Sequence, residues 1–360
     1  MRKKEDQQLA GIKPGALAKP VLRALARETL DRSPWWMMRQ AGRYLPEYRA
    51  LRARAGDFIT LCLTPELAAE ATLQPIRRFG MDAAILFSDL PLVLWALGQG
   101  LTYGDTGPVL DAVTKASDLT RLDSAGVRSR LEPVGQAVRL VRADLPDQTA
   151  LIGFAGAPWT VATYMVEGGT SRDFFRVKSW AYRDPTGFAA LIEQVAEATF
   201  EFLALQIENG AEAVQLFDSW AGALSPTGFE RWVIAPTREL VGKLKDRFPQ
   251  VPVIGFPRGA GLFYERYMAE TGVDAIGLDT TVPIAFARER LQSRVAVQGN
   301  LDPVLLATGG DEMRRAVVEL RAGLGGGPFI FNLGHGILPE TPVEHVAELA
   351  RILKEPLPTI

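Results

Sequence analysis

Short apolar runs recur along the chain, with room for a helix between successive runs. This recurrence narrows the possible fold more than any other feature. The runs predict strands over Trp35–Met38, Ala83–Phe87, Ala150–Phe154, Ala213–Phe217, Val251–Phe256, Asp274–Leu278, Val295–Gln298 and Phe329–Leu333. Between them the spacing turns helical. Pro65–Phe79 follows Thr64, a capping residue, with proline in the first turn. Pro185–Asn209 spaces Phe188, Leu191, Ile192, Val195 and Phe202 helically and stops at Gly210. Further helices are predicted over Thr227–Arg247, Phe263–Thr271, Ile284–Leu291, Asp302–Leu324 and Pro342–Lys354. Strands alternating with helices specify an α/β architecture, a parallel sheet with helices outside. Eight such units in 360 residues point to a single (β/α)8 TIM barrel. An open doubly wound sheet is the competitor, but no G-x-G-x-x-G follows the early strands and no G-x-x-x-x-G-K-[ST] occurs. Spacing is widest among the first four strands, so extended early βα loops and extra helices are expected near the top of the barrel. Residues 13–360 are read as this one domain and residues 1–12 as a loose tail.

Composition bounds the partners. A net charge of -2 argues against a general nucleic-acid or anionic-membrane surface, so any basic site is local. Cys62 is the only cysteine, which excludes an intrachain disulfide or a cysteine-rich metal site and suits a reducing compartment. Residues 1–20 lack the apolar centre of a secretory signal, and no later run reaches transmembrane length.

In a barrel, function collects where strands end. The first predicted strand ends at Arg39 and Arg43, with Ala41-Gly42 and no acid between them. Two guanidinium groups so placed suit a carboxylate or phosphate clamp; the plainer reading is a solvated turn. Later strand ends carry Ser88-Asp89, Asp218-Ser219, Arg258, Asn300 and His335, the last between Gly334 and Gly336. Asp89 reads equally well as a helix cap, with Pro91 close behind. Trp159 and Tyr164 read equally well as core aromatics, and His345 is expected on the surface. No lysine ends a predicted strand, which disfavours a Schiff base. Cysteine and histidine are too few for a zinc site, and no strand-end acid cluster suits Mg²⁺. A cofactor-free reaction on an anionic substrate remains.

Several blocks together resemble the uroporphyrinogen decarboxylase family, from about residue 13 to the end. They are Pro34–Arg49, with Met38-Arg39-Gln40-Ala41-Gly42-Arg43-Tyr44-Leu45-Pro46-Glu47 inside it; Gly153–Thr160, running on to Tyr164-Met165-Val166-Glu167-Gly168; Phe87-Ser88-Asp89; Phe217-Asp218-Ser219; and Asn332-Leu333-Gly334-His335-Gly336. Trp36 and Met37 depart from many members. The resemblance implies a cytoplasmic homodimer on the haem-biosynthesis route, with no metal or prosthetic group and no nucleic-acid or membrane partner. It would convert the four acetate side chains of uroporphyrinogen III to methyls, giving coproporphyrinogen III and CO₂. It also implies roles. Asp89 receives pyrrole N–H groups and stabilises a cationic transition state. Arg39 and Arg43 bind carboxylates from a loop that includes Gln40, Ala41 and Gly42, and Arg39 is also a catalytic candidate. Tyr164, Ser219 and His335 touch substrate. Arginines and N–H donors are expected to lower the pKa of Asp89. The proton donor is left open among Arg39, His335 and a bound water, and Arg321 is a distal reference for arginine substitutions. The alternatives are a zinc- and corrinoid-dependent methyltransferase of the same superfamily, whose His-x-Cys pattern is missing here, and a non-catalytic tetrapyrrole-binding barrel.

Overall fold

Residues 19–104 and 107–357 are described by a computed structural model of the chain. The expected tail, residues 1–12, lies outside the described residues. In chain order the strands are β1 (Ala83–Ile85), β2 (Leu101–Gly104), β3 (Gly107–Leu110), β4 (Ala150–Gly156), β5 (Ala213–Asp218), β6 (Val253–Pro257), β7 (Ala275–Gly277), β8 (Ala296–Leu301) and β9 (Phe329–Leu333). Seven of them form one parallel sheet in the order β1-β4-β5-β6-β7-β8-β9. Its register sets Ile85 beside Ile152, Phe154 beside Gln215 and Phe217 beside Phe256. Helices pack outside, as the alternating pattern predicts.

The eighth position differs from expectation. Trp35–Met38 is no regular strand; Trp35 makes a single parallel bridge to Phe331. The segment still closes the barrel, because it bonds on both sides. Phe331 N–H donates to the Pro34 carbonyl at 2.8 Å, and Asp82 N–H donates to the Trp35 carbonyl at 2.9 Å. Beyond Trp36, side chains replace the ladder. Met38 N–H donates to Oδ1 of Asn332 at 3.0 Å and Met37 N–H to Oε1 of Gln40 at 3.1 Å. Below the bridge, Asp82 accepts Trp35 N–H and a two-pronged contact from Arg32 at 2.7 and 2.6 Å. An apolar run thus marks the position of the closing segment without making it a strand.

Alternate residues face the barrel interior. Ala83, Ala150, Ala213, Ala275 and Ala296 supply small side chains there, while Ile85, Ile152, Phe154, Ile254 and Phe256 supply large ones. Between them a buried polar chain runs from Trp36 Nε1 to Gln298 Oε1 and from Gln298 Nε2 to Gln215 Oε1, each 2.9 Å. It satisfies most of the polar atoms it buries.

The surplus early residues form the helices Pro46–Ala55 and Phe58–Leu63 and, after β1, the short helix Leu92–Ala96 and the antiparallel hairpin β2–β3. Pro65–Phe79 is helical as predicted, with Gly80 in the left-handed conformation that ends it. The predicted helix Asp302–Leu324 is two helices, Pro303–Thr308 and Gly310–Leu324. They break at Gly309, where φ is +70° and a Cβ would strike the His345 ring. His345 is therefore no plain surface residue: it is half-buried, with Nδ1 3.0 Å from the Leu306 carbonyl.

Candidate active site

Strand ends and early helices enclose a cavity of about 600 Å³ at one end of the barrel. All the sequence-predicted site residues line it: Arg39, Gln40, Ala41, Gly42, Arg43, Asp89, Tyr164, Ser219 and His335. Phe154, Phe217 and Ile85, from three neighbouring strands, add an apolar wall. The Phe154 and Phe217 rings meet edge to face at 5.6 Å.

Arg39 is placed by the closing segment. It adopts φ +61°, in the left-handed region, between ties that hold the turn. Gln40 Nε2 donates to the Ala83 carbonyl, Gln40 carbonyl accepts from the Tyr44 hydroxyl, and Ile337 N–H donates to the Met38 carbonyl. Gln40 is fully buried and its amide is committed to backbone, so its part is to hold the turn. Gly42 leaves room for the Arg39 carbonyl, which a Cβ would approach to 2.9 Å. Gly336 lies beneath the Arg39 side chain, and any Cβ there would overlap its Cδ. The Arg-x-x-x-Arg turn and the Gly-His-Gly turn, nearly 300 residues apart in sequence, are thus fitted to each other.

Asp89 follows β1. Its Oδ1 accepts the Leu90 N–H at 2.9 Å and its Oδ2 accepts the Tyr103 hydroxyl. It does not cap the helix Leu92–Ala96, whose N-cap is Pro91 with no side-chain bond. Burial pushes the Asp89 carboxyl up from its ordinary range; the Tyr103 hydroxyl, the Leu90 N–H and the Arg39 charge pull it back only in part. The expected lowering is therefore reversed, because desolvation outweighs the donors. His335 moves the other way. Burial, then the charges of Arg39 and Arg258, push its imidazole down to about 3, against a smaller opposing effect of Asp279. Its ring is neutral at neutral pH, so it cannot deliver a proton as an imidazolium there. Tyr164 is pushed up to about 12 by burial and by Asp89, and its ring meets Trp220 edge to face at 6.0 Å.

Of the further residues that line the cavity, the sequence marks Arg258 as a strand end without a role and leaves Arg52 and Tyr103 unmarked. Arg258, just after β6, is exposed to the cavity; its strand-end position was the available signal. Arg52 lines the cavity from the helix Pro46–Ala55, with a buried Nη1 that has no partner among the described residues and its guanidinium 5.3 Å from the Phe58 ring. That helix was not predicted, so Arg52 had no visible setting. Tyr103 lies on the hairpin β2–β3, which no sequence signal marks as strand. Among the described residues, Arg39, Arg43, Arg52 and Arg258 join no ion pair, although they share one cavity with an aspartate. Asp218 lies elsewhere: it is buried outside the barrel wall, where Thr160 Oγ1 donates to its Oδ1 at 2.6 Å. Among the described residues no three His, Cys, Asp or Glu side chains converge on a possible metal position.

This arrangement suits a large polyanion with a flat apolar body and N–H donors. The family described as "Uroporphyrinogen decarboxylase (URO-D)" matches residues 17–356. A uroporphyrinogen decarboxylase of Rhodospirillum rubrum is 55% identical over 344 residues, covering 95% of this chain and 99% of that protein. One of Granulibacter bethesdensis is 54% identical over 340 residues, covering 93% and 99%. Among solved structures, a methyltransferase from Methanosarcina mazei superposes with a TM-score of 0.76 at 20% identity, covering 93% of this chain and 98% of that one. At that identity it shows the shared barrel fold alone.

Proposed function

The chain belongs to the uroporphyrinogen decarboxylase family, and from that premise we propose that it removes the four acetate carboxyls of uroporphyrinogen III without a cofactor. One observation carries the link to these residues: Asp89 shares a cavity with Arg39, Arg43, Arg52 and Arg258, none of them ion-paired among the described residues. Guanidinium groups left free in a recessed cleft suit the substrate's carboxylates, which they grip in a fork. The apolar wall of Phe154, Phe217 and Ile85 suits the faces of the macrocycle.

Each round balances as follows. A proton adds to a pyrrole ring carbon, making the ring an iminium-like cation. The bond from the acetate methylene to its carboxylate then breaks. CO₂ leaves, and the electron pair forms an exocyclic double bond that neutralises the ring. A second proton adds to the methylene to make the methyl, and the ring carbon gives back its proton. One proton is consumed per CO₂ released. Asp89 stabilises the cation through the pyrrole N–H groups, an effect strongest in a water-poor site. Tyr164 and Ser219 help to orient the macrocycle. With His335 neutral at working pH, the proton comes by way of Arg39 or a water held beside it.

The reading places the activity in the cytoplasm and makes the enzyme a homodimer, with residues 13–360 as one catalytic domain. Among the described residues no helix is long and apolar enough to cross a membrane. An anaerobic assay with uroporphyrinogen III is the direct test, and coproporphyrinogen III with CO₂ is the expected result. Binding without CO₂ release would replace this reading with that of a tetrapyrrole carrier. Sedimentation should give twice the 39.3 kDa chain mass; a monomer would remove the dimer.

A further inference from the structure

Resting on the decarboxylase reading, we propose that Tyr103 is a positioning residue, whose hydroxyl fixes the Asp89 carboxylate in the rotamer and the charge state that receive the pyrrole N–H groups. The phenol reaches Asp89 from a separate piece of chain. Tyr103 lies on β2, paired with Pro108 on β3, and its ring packs on Phe58 with centroids 4.7 Å apart. The base of the hairpin is tied down: Leu110 N–H donates to the Gly168 carbonyl at 3.1 Å, and Val113 N–H to the Met165 carbonyl at 3.0 Å. Gln99 Nε2 donates to the Asp111 carbonyl at 2.6 Å. Gly169, at φ +151°, lets the hairpin approach, since a Cβ there would come within 2.8 Å of the Pro108 carbonyl.

Counting acceptors shows what the contact does. A carboxylate offers about four lone-pair positions. Leu90 N–H takes one on Oδ1 and Tyr103 takes one on Oδ2. About one on each oxygen is left for pyrrole N–H groups. One backbone N–H and one phenol hydroxyl on an anchored hairpin define the plane of the carboxylate before substrate arrives, which is preorganisation. The phenol stays a donor, because burial and the neighbouring Asp89 raise its own pKa. The other groups that act on Asp89 or sit with it are Arg39 on the closing segment, Tyr48 on the helix Pro46–Ala55, Cys62 on the helix Phe58–Leu63 and Tyr164 on the helix Pro158–Glu167. Tyr48 and Tyr164 are pushed up to about 12 and Cys62 is raised by burial. Arg43, Arg52, Arg258 and His335 share the cavity, and His335 is pushed down to about 3. Burial raises the Asp89 carboxyl while the Tyr103 hydroxyl lowers it, so this contact acts on the charge of Asp89.

The sign follows. Losing a donor to the charged form raises the pKa of Asp89, so activity that needs the carboxylate is lost at higher pH as the medium is acidified. Tyr103→Phe keeps the ring on Phe58 and removes only the hydroxyl. It should lower kcat about tenfold and move the acid limb of its pH profile about one pH unit higher, with KM little changed; hydrogen bonds to charged groups have effects of this order. Thr102→Ala, on the exposed side of the same strand, should leave both parameters alone. Carbon-13 NMR titration of the Asp89 carboxyl should show the same upward move in Tyr103→Phe whatever the protein's turnover. An unmoved carboxyl titration, or a wild-type kcat and acid limb in Tyr103→Phe, overturns the assignment. If wild-type protein releases no CO₂ while the titration moves, the decarboxylase reading falls and the Tyr103 contact stands.

Discussion

Arg321 and Asp89 show how far context decides what a charged side chain does. Asp89 keeps lone pairs facing a cavity, and Asp89→Asn removes the anion while keeping its size. Turnover should fall by roughly 10²–10³-fold with the melting temperature unchanged, as expected for loss of a preorganised charge. Near-normal turnover would show that the anion is dispensable. Arg39→Ala and Arg43→Ala should raise KM more than a surface control. Arg321 cannot be that control. It is 3% exposed, and its guanidinium donates to the Ile352, Glu355 and Pro356 carbonyls. Arg315, an exposed residue with a one-turn partner in Glu312, serves instead. Equal KM effects at Arg39, Arg43 and Arg315 would show that the clamp is misassigned. Asp218 makes a contrasting case. Burial pushes it up from 3.8 to about 7, and its Oδ2 has no partner among the described residues. The folded state therefore holds this proton more tightly than the unfolded chain. Stability is lost as pH rises from about 4 to about 7, and the whole penalty is present above that. Asp218→Asn should therefore raise the melting temperature more at pH 8 than at pH 5. A gain independent of pH, or a loss at pH 8, would count against a buried, protonatable acid.

At the scale of elements, the closing segment concentrates the constraints. Asp82 ties Arg32, the Trp35 N–H and the end of the sheet into one knot. Asp82→Ala strips partners from a half-exposed guanidinium and a buried N–H, at a cost of roughly 2–4 kcal/mol. Chemical denaturation would measure it, and a loss under about 0.5 kcal/mol, the size of an ordinary surface change, would refute the role. Gly336→Ala should act differently, lowering substrate affinity more than stability, because the added methyl displaces the Arg39 side chain. Much of this was legible in advance. The apolar runs located every strand of the main sheet, since buried parallel strands carry an unbroken apolar signature. The hairpin β2–β3 was not legible: it has only four residues a side, contains Gly104, Gly107 and Pro108, and mixes exposed with buried positions. Tyr103 was missed with it. Arg258 was visible as a strand end, but nothing in the sequence said that it would stay unpaired.

Over the whole molecule, the anchoring of the first described residues deserves a test of its own. Lys19 is buried, with Nζ 2.7 Å from Glu212 and 2.9 Å from the Thr149 carbonyl. Burial lowers its pKa, and the Glu212 contact only partly restores it. Lys19→Met leaves Glu212 with the Leu151 N–H and the Arg142 guanidinium at 3.7 Å, and should destabilise by about 1–2 kcal/mol. Unchanged denaturation midpoints would show that the tie is incidental. The overall α/β plan was readable from alternation alone, whereas the shape of the cleft was not, because it depends on turns whose geometry comes from distant partners. The joint that shuts the ring is also the stretch presenting Arg39, and it is fastened at Ala83, Asn332 and Ile337. Closure of the cylinder and the placement of Arg39 therefore rest on the same ties. A chain interrupted late in synthesis, lacking β9 and the Gly-His-Gly turn, should be silent toward tetrapyrroles rather than weakly active.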